Sequence, residues 1–514
     1  MYLVKKSVVI KLKFDKSLCG QAYKILSISR SQVSSATSWG DDWDSEEEHR
    51  YEDPQDLIQT PSPVYTSVVK TSQDAGGARQ DSRPSSIVAE PGYSFTLGKF
   101  TSVFGKSGAV GDYLTGLTES SATLAREAIL INEPSQGYFQ WELLHEPYSC
   151  TIGTPKKGSK FGGMKSFIAY QVTPSFSNIQ VSRRYKHFDW LHERLTGKFG
   201  AIIAIPPLPE KQVTGRFEED LIEHRRIELQ SFVDRICRHP VLANSEVWRH
   251  FLTQTDDKKW TQGKRKAESD NLVGISFLTT IQAPSILSET EHAIDKNISE
   301  FGKEIVKMDS AVKNMNIIAN DQITKYRTVY KKDCQDIGKA FSQLGSAVGE
   351  NAPCLTSIGA CYEDLSSVWE EQVTKDWEPV QHMMHDYKGL VGSWQGILGL
   401  YGSMGEKQKD IMRSEGNEKE KDCAVARVNT YRIGAQAEQN FFKQEMAVDM
   451  THTSQLFLVE QIKFHRMMAD KLEKLYYDCW SDQATAADTT QTTNTPAPGP
   501  EAVMDPWKAD TDGM

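Results

Sequence analysis

Between Leu287 and Val348 apolar residues recur at steps of four and three, and this run restricts the fold more tightly than any other stretch. Ile294, Ile298, Phe301, Ile305, Met308, Val312 and Met315 keep a seven-residue repeat, and Tyr326, Val329, Ile337, Phe341, Leu344 and Val348 carry the apolar side onward. Side chains so spaced share one narrow face of a helix. The spacing predicts a helix of about 60 residues, roughly 90 Å long at 1.5 Å per residue, which cannot be globular by itself. Asn351-Ala352-Pro353 ends it. Leu355, Ile358, Tyr362, Leu365 and Trp369 begin a second helical run that Pro379 should bend and that Trp394, Ile397, Leu398 and Tyr401 continue. After a charged connection, Ser414 to Asp422, a third helix is predicted from about Ala424 to Cys479, with Phe441, Val448, Leu456, Val459, Ile462, Met467, Leu472 and Leu475 on its apolar side. Three such helices leave apolar stripes uncovered, and twofold pairing is the commonest way to bury them, so a homodimer is expected.

The rest of the chain divides by composition. The whole carries a net charge of -10 over 514 residues, which argues against a general nucleic-acid binder. Its eight cysteines form no CxxC pair, which fits a reducing compartment and no zinc site. No apolar run reaches the length of a membrane span and no signal-like segment opens the chain, so membrane contact should be peripheral. Residues 1–30 are basic and receive no role. Residues 31–91 are too polar to offset the entropy of ordering and are expected to be a disordered acidic linker. Trp39, Trp43 and Asp44 within it form an acidic tryptophan anchor of the kind a basic pocket on a partner captures. Residues 92–160 are rich in aromatics broken by glycine and proline, and are expected to be an irregular segment packed on the following domains. Residues 481–514 form a disordered tail that includes Asp505, Pro506 and Trp507.

Residues 161–254 predict a small α+β unit. A strand alternates through Met164 to Thr173, a turn follows, and a second strand runs into Arg183-Arg184-Tyr185-Lys186-His187-Phe188-Asp189-Trp190-Leu191, where a helix starts. Arg184 offers a planar fork of donors for a phosphate, and Tyr185 a flat face for a polyol ring. The prolines of Pro206-Pro207-Leu208-Pro209-Glu210-Lys211-Gln212 stiffen an extended arm that holds Lys211 at a fixed place. Glu218 to Arg238 is helical by period.

Three stretches together resemble a known family. The nine residues from Arg183, the run Leu208-Pro209-Glu210-Lys211-Gln212-Val213-Thr214-Gly215-Arg216-Phe217-Glu218-Glu219, and Gly263-Lys264-Arg265-Lys266-Ala267-Glu268 are similar to sorting nexins 9, 18 and 33, over roughly Tyr93 to Trp480. The resemblance implies an α+β phox-homology (PX) domain, with a three-stranded antiparallel sheet and helices. It implies next an all-α BAR domain at 285–480, a three-helix antiparallel coiled coil forming a curved dimer. It implies phosphoinositide binding, with Arg184 on the 3-phosphate, Tyr185 supporting the inositol ring, Lys211 on the 1-phosphate and Arg225 on ring hydroxyls. Residues 255–284 become a candidate amphipathic helix, with Lys264, Arg265 and Lys266 beside Leu272, Val273, Ile275, Phe277 and Leu278, and on sequence alone a linker helix packed into protein fits equally well. Lys325, Arg327, Lys331 and Lys332 are further candidates for contact with an anionic leaflet. Asp505-Pro506-Trp507 resembles the motif by which endocytic proteins hook a clathrin adaptor complex, and the anchor at Trp39 to Asp44 is similar.

The implied function is that of a phosphoinositide-binding, curvature-sensing or curvature-generating protein of endocytosis and endosomal traffic, cytoplasmic and peripheral on plasma membrane, endocytic vesicles and endosomes. The alternative is an endosomal tether that binds lipid without shaping it. The sequence departs from the family in one respect: no Src-homology 3 pattern precedes Trp39, which fits an isoform or an incomplete gene model. Contacts with dynamin and with activators of branched actin are therefore in doubt. No HxKxxxxD, GxSxG, glycine-rich phosphate loop or HExxH is present, so no enzyme, catalytic residue or cofactor is expected. His382 and His385 share a helix with no third ligand nearby in sequence, which argues against a metal site.

Overall fold

A computed structural model describes residues 107–116, 128–143, 146–160, 165–211, 218–415 and 417–487. Trp39, Trp43, Asp44, Asp505, Pro506 and Trp507 lie outside them.

The α+β unit, where the resemblance places a PX domain, is built on a three-stranded antiparallel sheet, β3 (Cys150–Lys160), β4 (Lys165–Pro174) and β5 (Val181–Arg184), in that spatial order. Its first strand therefore lies within residues 92–160, and neither the irregular segment nor the boundary at 161 expected from sequence holds. Gly153, Pro155 and Gly158 hide the alternation. The ladder tolerates the proline because β3 is an edge strand, and its register shifts between Gly153 and Lys156. Helix α3 (Glu219–Arg238) covers this edge, where Gln230 accepts from the Ile152 N–H at 2.6 Å and donates to the Cys150 carbonyl at 2.8 Å. One side-chain amide so replaces part of a missing strand. Helix α2 (Tyr185–Phe199) turns Phe188, Leu191, Leu195 and Phe199 inward at helical spacing, into the core that also takes Leu229, Phe232 and Ile236 of α3. Helix α4 (Glu246–Thr253), capped by Ser245, closes the core with Trp248 and Phe251.

A second small sheet joins segments from either side of this unit. Strands β1 (Ile129–Ser135) and β2 (Tyr138–Trp141) form a hairpin, and β6 (Ile281–Gln282) pairs in parallel with β1. Helix α1 (Ser107–Leu114) buries Tyr113, whose carbonyl accepts from Arg427. The expected amphipathic helix over 255–284 is shorter than predicted. Helix α5 (Asp257–Glu268) is followed by a bend, a short 3-10 turn at Ser276–Thr280, and β6. Ile275, Phe277 and Leu278 are buried in the core and Leu272 is half-buried, so most of the apolar side proposed for lipid is spent on protein, with Val273 left exposed.

The helical arm follows the heptads. Helix α6 (Ser288–Lys325) passes through one π turn at Tyr326–Tyr330 into α7 (Lys331–Val348), without a break. Helix α8 (Cys354–Val373) returns along α7. At their crossing a methyl added to Gly338 would lie 2.8 Å from the Gly359 carbonyl, so the close approach needs glycine. The interruption assigned to Pro379 falls earlier, at residues 374–376. Pro379 itself sits in the first turn of α9 (Trp377–Arg413), where its missing N–H has no intrahelical partner to lose. Helix α10 (Glu418–Ala487) completes the arm. Phe301, Ile305, Val312, Tyr387, Trp394 and Phe442 make its inner core, whereas Leu458, Ile462, Leu472 and Tyr476, also at heptad spacing, are exposed. Among the described residues no helix is long and apolar enough to cross a membrane.

Candidate functional site

Alternation at the end of β5 sends its two arginines opposite ways. Arg183 points inward and is 5% exposed. Its Nε donates to the Phe251 carbonyl at 3.0 Å, an Nη donates to that of Gln254 at 2.7 Å, and its guanidinium lies 4.2 Å from the Trp260 ring. Burial pulls its pKa down to about 10. Arg183 is thus a pin that fastens α5 through Trp260.

Arg184 is half-buried and faces outward, its Nε 3.3 Å from His187 Nε2 and its guanidinium 6.0 Å from the Phe167 ring. It has no carboxylate partner among the described residues. Tyr185 donates to the Pro209 carbonyl at 2.5 Å, which fixes the proline arm against α2. Arg225, on α3, stands 4.7 Å from the Tyr185 ring and reaches the Glu210 carbonyl at 3.5 Å. Lys211 Nζ rests 3.0 Å from Asp189. Both members of that pair are substantially exposed, so a phosphate can replace the carboxylate at little cost. Tyr185, Lys211 and Arg225 all meet the Pro209–Lys211 arm, and Arg184 precedes Tyr185 in the chain. Sequence reading missed the supporting residues His187, Phe167 and Asp189; their signal was present only in three dimensions.

The other predicted cations are more engaged. Lys264 pairs with Glu268 at 3.6 Å and Lys266 with Glu246 at 2.7 Å, while Arg265 lies on the same exposed helix. Lys325 pairs with Asp321 at 2.7 Å, Arg327 with Glu378, and Lys331 with Glu370; Lys332 has no carboxylate partner among the described residues. Three of these four charges thus have an acid beside them, which weakens the patch at long range.

PX unit and arm are cross-braced. Arg235 on α3 reaches Asp386 of α9 at 2.8 Å and Asp449 of α10 at 2.9 Å, and Arg238 meets Glu445. Deeper, Glu438 of α10 accepts from Trp141 Nε1 at 2.9 Å, from the Ala204 N–H at 3.0 Å and from His239 Nε2 at 3.0 Å. On α9, His382 Nε2 lies 3.0 Å from His224 Nδ1, and His224 Nε2 lies 3.4 Å from Glu228. The two nitrogens of His224 thus face different partners, and no group of ligands converges on a metal among the described residues.

A family model described as the PX domain matches residues 171–255, and one described as the WASP-binding domain of sorting nexin protein matches residues 256–478. Sorting nexin-33 of Xenopus tropicalis is 32% identical over 430 residues, covering 80% of this chain and 76% of that protein. The chain belongs to the sorting nexin 9, 18 and 33 group. Sorting nexin lst-4 of Caenorhabditis elegans is 36% identical over 385 residues, 72% of this chain and 66% of that protein. Mouse sorting nexin-33 is 36% identical over 347 residues, 65% of this chain. This sorting nexin spans 60% of the mouse protein's length and just under two thirds of the nematode one. The PX match begins inside β4, so β3 of the three-stranded sheet precedes it.

Proposed function

We propose that this sorting nexin binds phosphoinositide headgroups through Arg184, Tyr185, Lys211 and Arg225 and, as a homodimer, senses or generates membrane curvature in endocytosis and endosomal traffic. The observation that carries the reading is the gathering of two cations and a tyrosine around one proline-stiffened arm, beside an outward Arg184 with no carboxylate partner among the described residues. The phosphates would take the guanidiniums and the ammonium, exchanging a weak exposed pair for stronger charge-assisted bonds. The uncovered heptad stripe on α10 supports pairing with a second copy. Contact with a clathrin adaptor through Trp39, Trp43, Asp44 and Asp505 to Trp507 belongs to the same proposal.

Liposome sedimentation with electron microscopy tests it, comparing wild type with Arg184→Ala on vesicles with and without phosphoinositide. Lipid-dependent binding that collapses in the variant, with narrow tubules from wild type, is the expected result. Binding without tubules favours the tether, and binding indifferent to phosphoinositide refutes the headgroup site.

A further inference from the structure

A cleft of about 200 Å³ lies where α3 meets the arm helices α6 and α9. Its walls come from both units: His224, Arg225 and Glu228 on α3, Asn316 on α6, and Gln381, His385 and Lys388 on α9. Arg225 also stands over Tyr185, so one side chain belongs to both this cleft and the proposed headgroup site. The arm residues that line it have no assigned role.

Three polar atoms of this lining are buried without a hydrogen-bond partner among the described residues: Asn316 Oδ1, Gln381 Oε1 and His385 Nδ1. Buried polar atoms are rarely left so: water or a ligand bonds to them, and a cleft of this volume has room for more than a single water. A half-turn of either amide exchanges acceptor for donor, so Asn316 and Gln381 can meet a hydroxyl or a phosphate oxygen. His385 Nδ1 is 3.9 Å from Glu228 and 3.7 Å from Asp386, ion-pair distances too long for hydrogen bonds.

The charge balance favours an anion. Lys388 and Arg225 have no carboxylate partner among the described residues. Glu228 sits between two imidazoles, and its hydrogen bond raises the pKa of His224 against burial. Burial would lower that of His385, but Asp386, Glu228 and Glu210 outweigh it. Glu210, on the rim, is the remaining acid of the lining. Apart from Pro209 and Leu221 the surface is polar, which suits a hydroxylated ligand over an apolar one.

We propose that this cleft is a second anion site, for a phosphorylated polyol, formed only while α3 lies on the arm, so that its ligand ties the PX unit to the BAR helices. The ligand is a lipid headgroup or a soluble inositol phosphate. The full chain is titrated by calorimetry with soluble inositol tetrakisphosphate, and sedimented with phosphatidylcholine vesicles with and without phosphoinositide. Wild type, Arg184→Ala, Lys388→Gln and Asn316→Leu are compared.

The expected result is more than one equivalent of soluble ligand per chain, one lost in Arg184→Ala and a different one weakened about tenfold or more in both Lys388→Gln and Asn316→Leu. An effect of Lys388→Gln on vesicle binding alone supports the site and makes its ligand a headgroup; an effect on the soluble ligand alone supports it and makes the ligand free. If Arg184→Ala changes nothing while Lys388→Gln does, the headgroup reading fails and this site stands. If Lys388→Gln and Asn316→Leu leave both measurements unchanged, or if one equivalent is lost equally in all variants, a separate site is refuted.

Discussion

Glu438→Ala removes one carboxylate on which three separate parts of the chain converge. Trp141 comes from the small sheet, Ala204 and His239 from the PX unit, and Glu438 itself from α10. The backbone N–H groups of Val241 and Leu242 lie 3.1 and 3.3 Å from His239 Nδ1, so the proton of the neutral ring sits on Nε2 and is donated to Glu438. Alanine strands all three donors. At roughly 1–3 kcal/mol each the sum is about 3–9 kcal/mol. A void of about 30 Å³ already borders the site, so water can enter and the lower half of that range applies. Within that lower half we expect about 4 kcal/mol. Glu438→Gln keeps the shape but turns an amide donor toward one of the three, for about 2 kcal/mol. Urea unfolding gives the totals, and hydrogen exchange at β2 and around Ala204 shows whether the loss is local to the junction. A Glu438→Ala cost under about 1 kcal/mol, or equal costs for the two variants, would refute the account of Glu438 as the joint.

Two further predictions concern assembly and pH. Ile462 is 48% exposed on α10, in line with Leu458, Leu472 and Tyr476, so Ile462→Asp should convert a dimer to monomer by light scattering with unchanged helical circular dichroism. A persisting dimer would move the interface elsewhere. Burial, with the charge of His224, lowers the pKa of His382 to about 4, and burial does the same for His192. Each such group contributes stability that is present above its unfolded value near 6.5 and is lost as pH falls toward 4, about 2 kcal/mol per group at pH 5. Urea midpoints at pH 7 and pH 5 should therefore differ less in His382→Gln than in wild type, and an equal difference would refute the assignment.

The arm was legible because its residues repeat: Ile294 to Met315 occupy one face whatever the neighbours do, and the helix follows. Its interruptions were less so. Pro379 signalled a break, but the chain turns just before it, where Asp376 caps α9 by accepting from the Trp377 N–H at 2.5 Å. Strand β3 was missed because local alternation is weak at Gly153, Pro155 and Gly158, and because the amide of Gln230 that bonds its edge lies far along the chain, although its partner β4 follows directly. The same holds at the site. Arg184, Tyr185 and Lys211 were nameable from residue type and proline stiffness, but nothing local separates Arg183 from Arg184 in role. Only the register Ala169 to Arg184 and Tyr170 to Arg183 sends one out and the other in. The apolar residues after Arg265 left two readings open for a related reason: apolar patterning states that a face is covered, and lipid and protein cover it alike.

Helix α3 is where these readings meet. It carries Arg225 near its start and Ser231, Arg235 and Arg238 along its length, about 15 Å separating Arg225 from Arg235 at 1.5 Å per residue. Ser231 and Arg235 both bond Asp386 of α9, and Arg235 and Arg238 both reach Asp449 of α10. A helix held at several points cannot turn without breaking buried charge contacts, each expensive to leave unpaired. The orientation of Arg225 is therefore set by the arm as well as by the PX core. In the proposed function, a headgroup seated against Arg225 and Tyr185 meets the arm at a fixed angle, and the membrane plane is presented to the arm by a strut instead of a tether. In that reading, such rigidity is what separates a protein that reports or imposes curvature from one that only attaches, and it rests on Arg235, Asp386, Asp449 and Glu438 rather than on the residues proposed to face lipid.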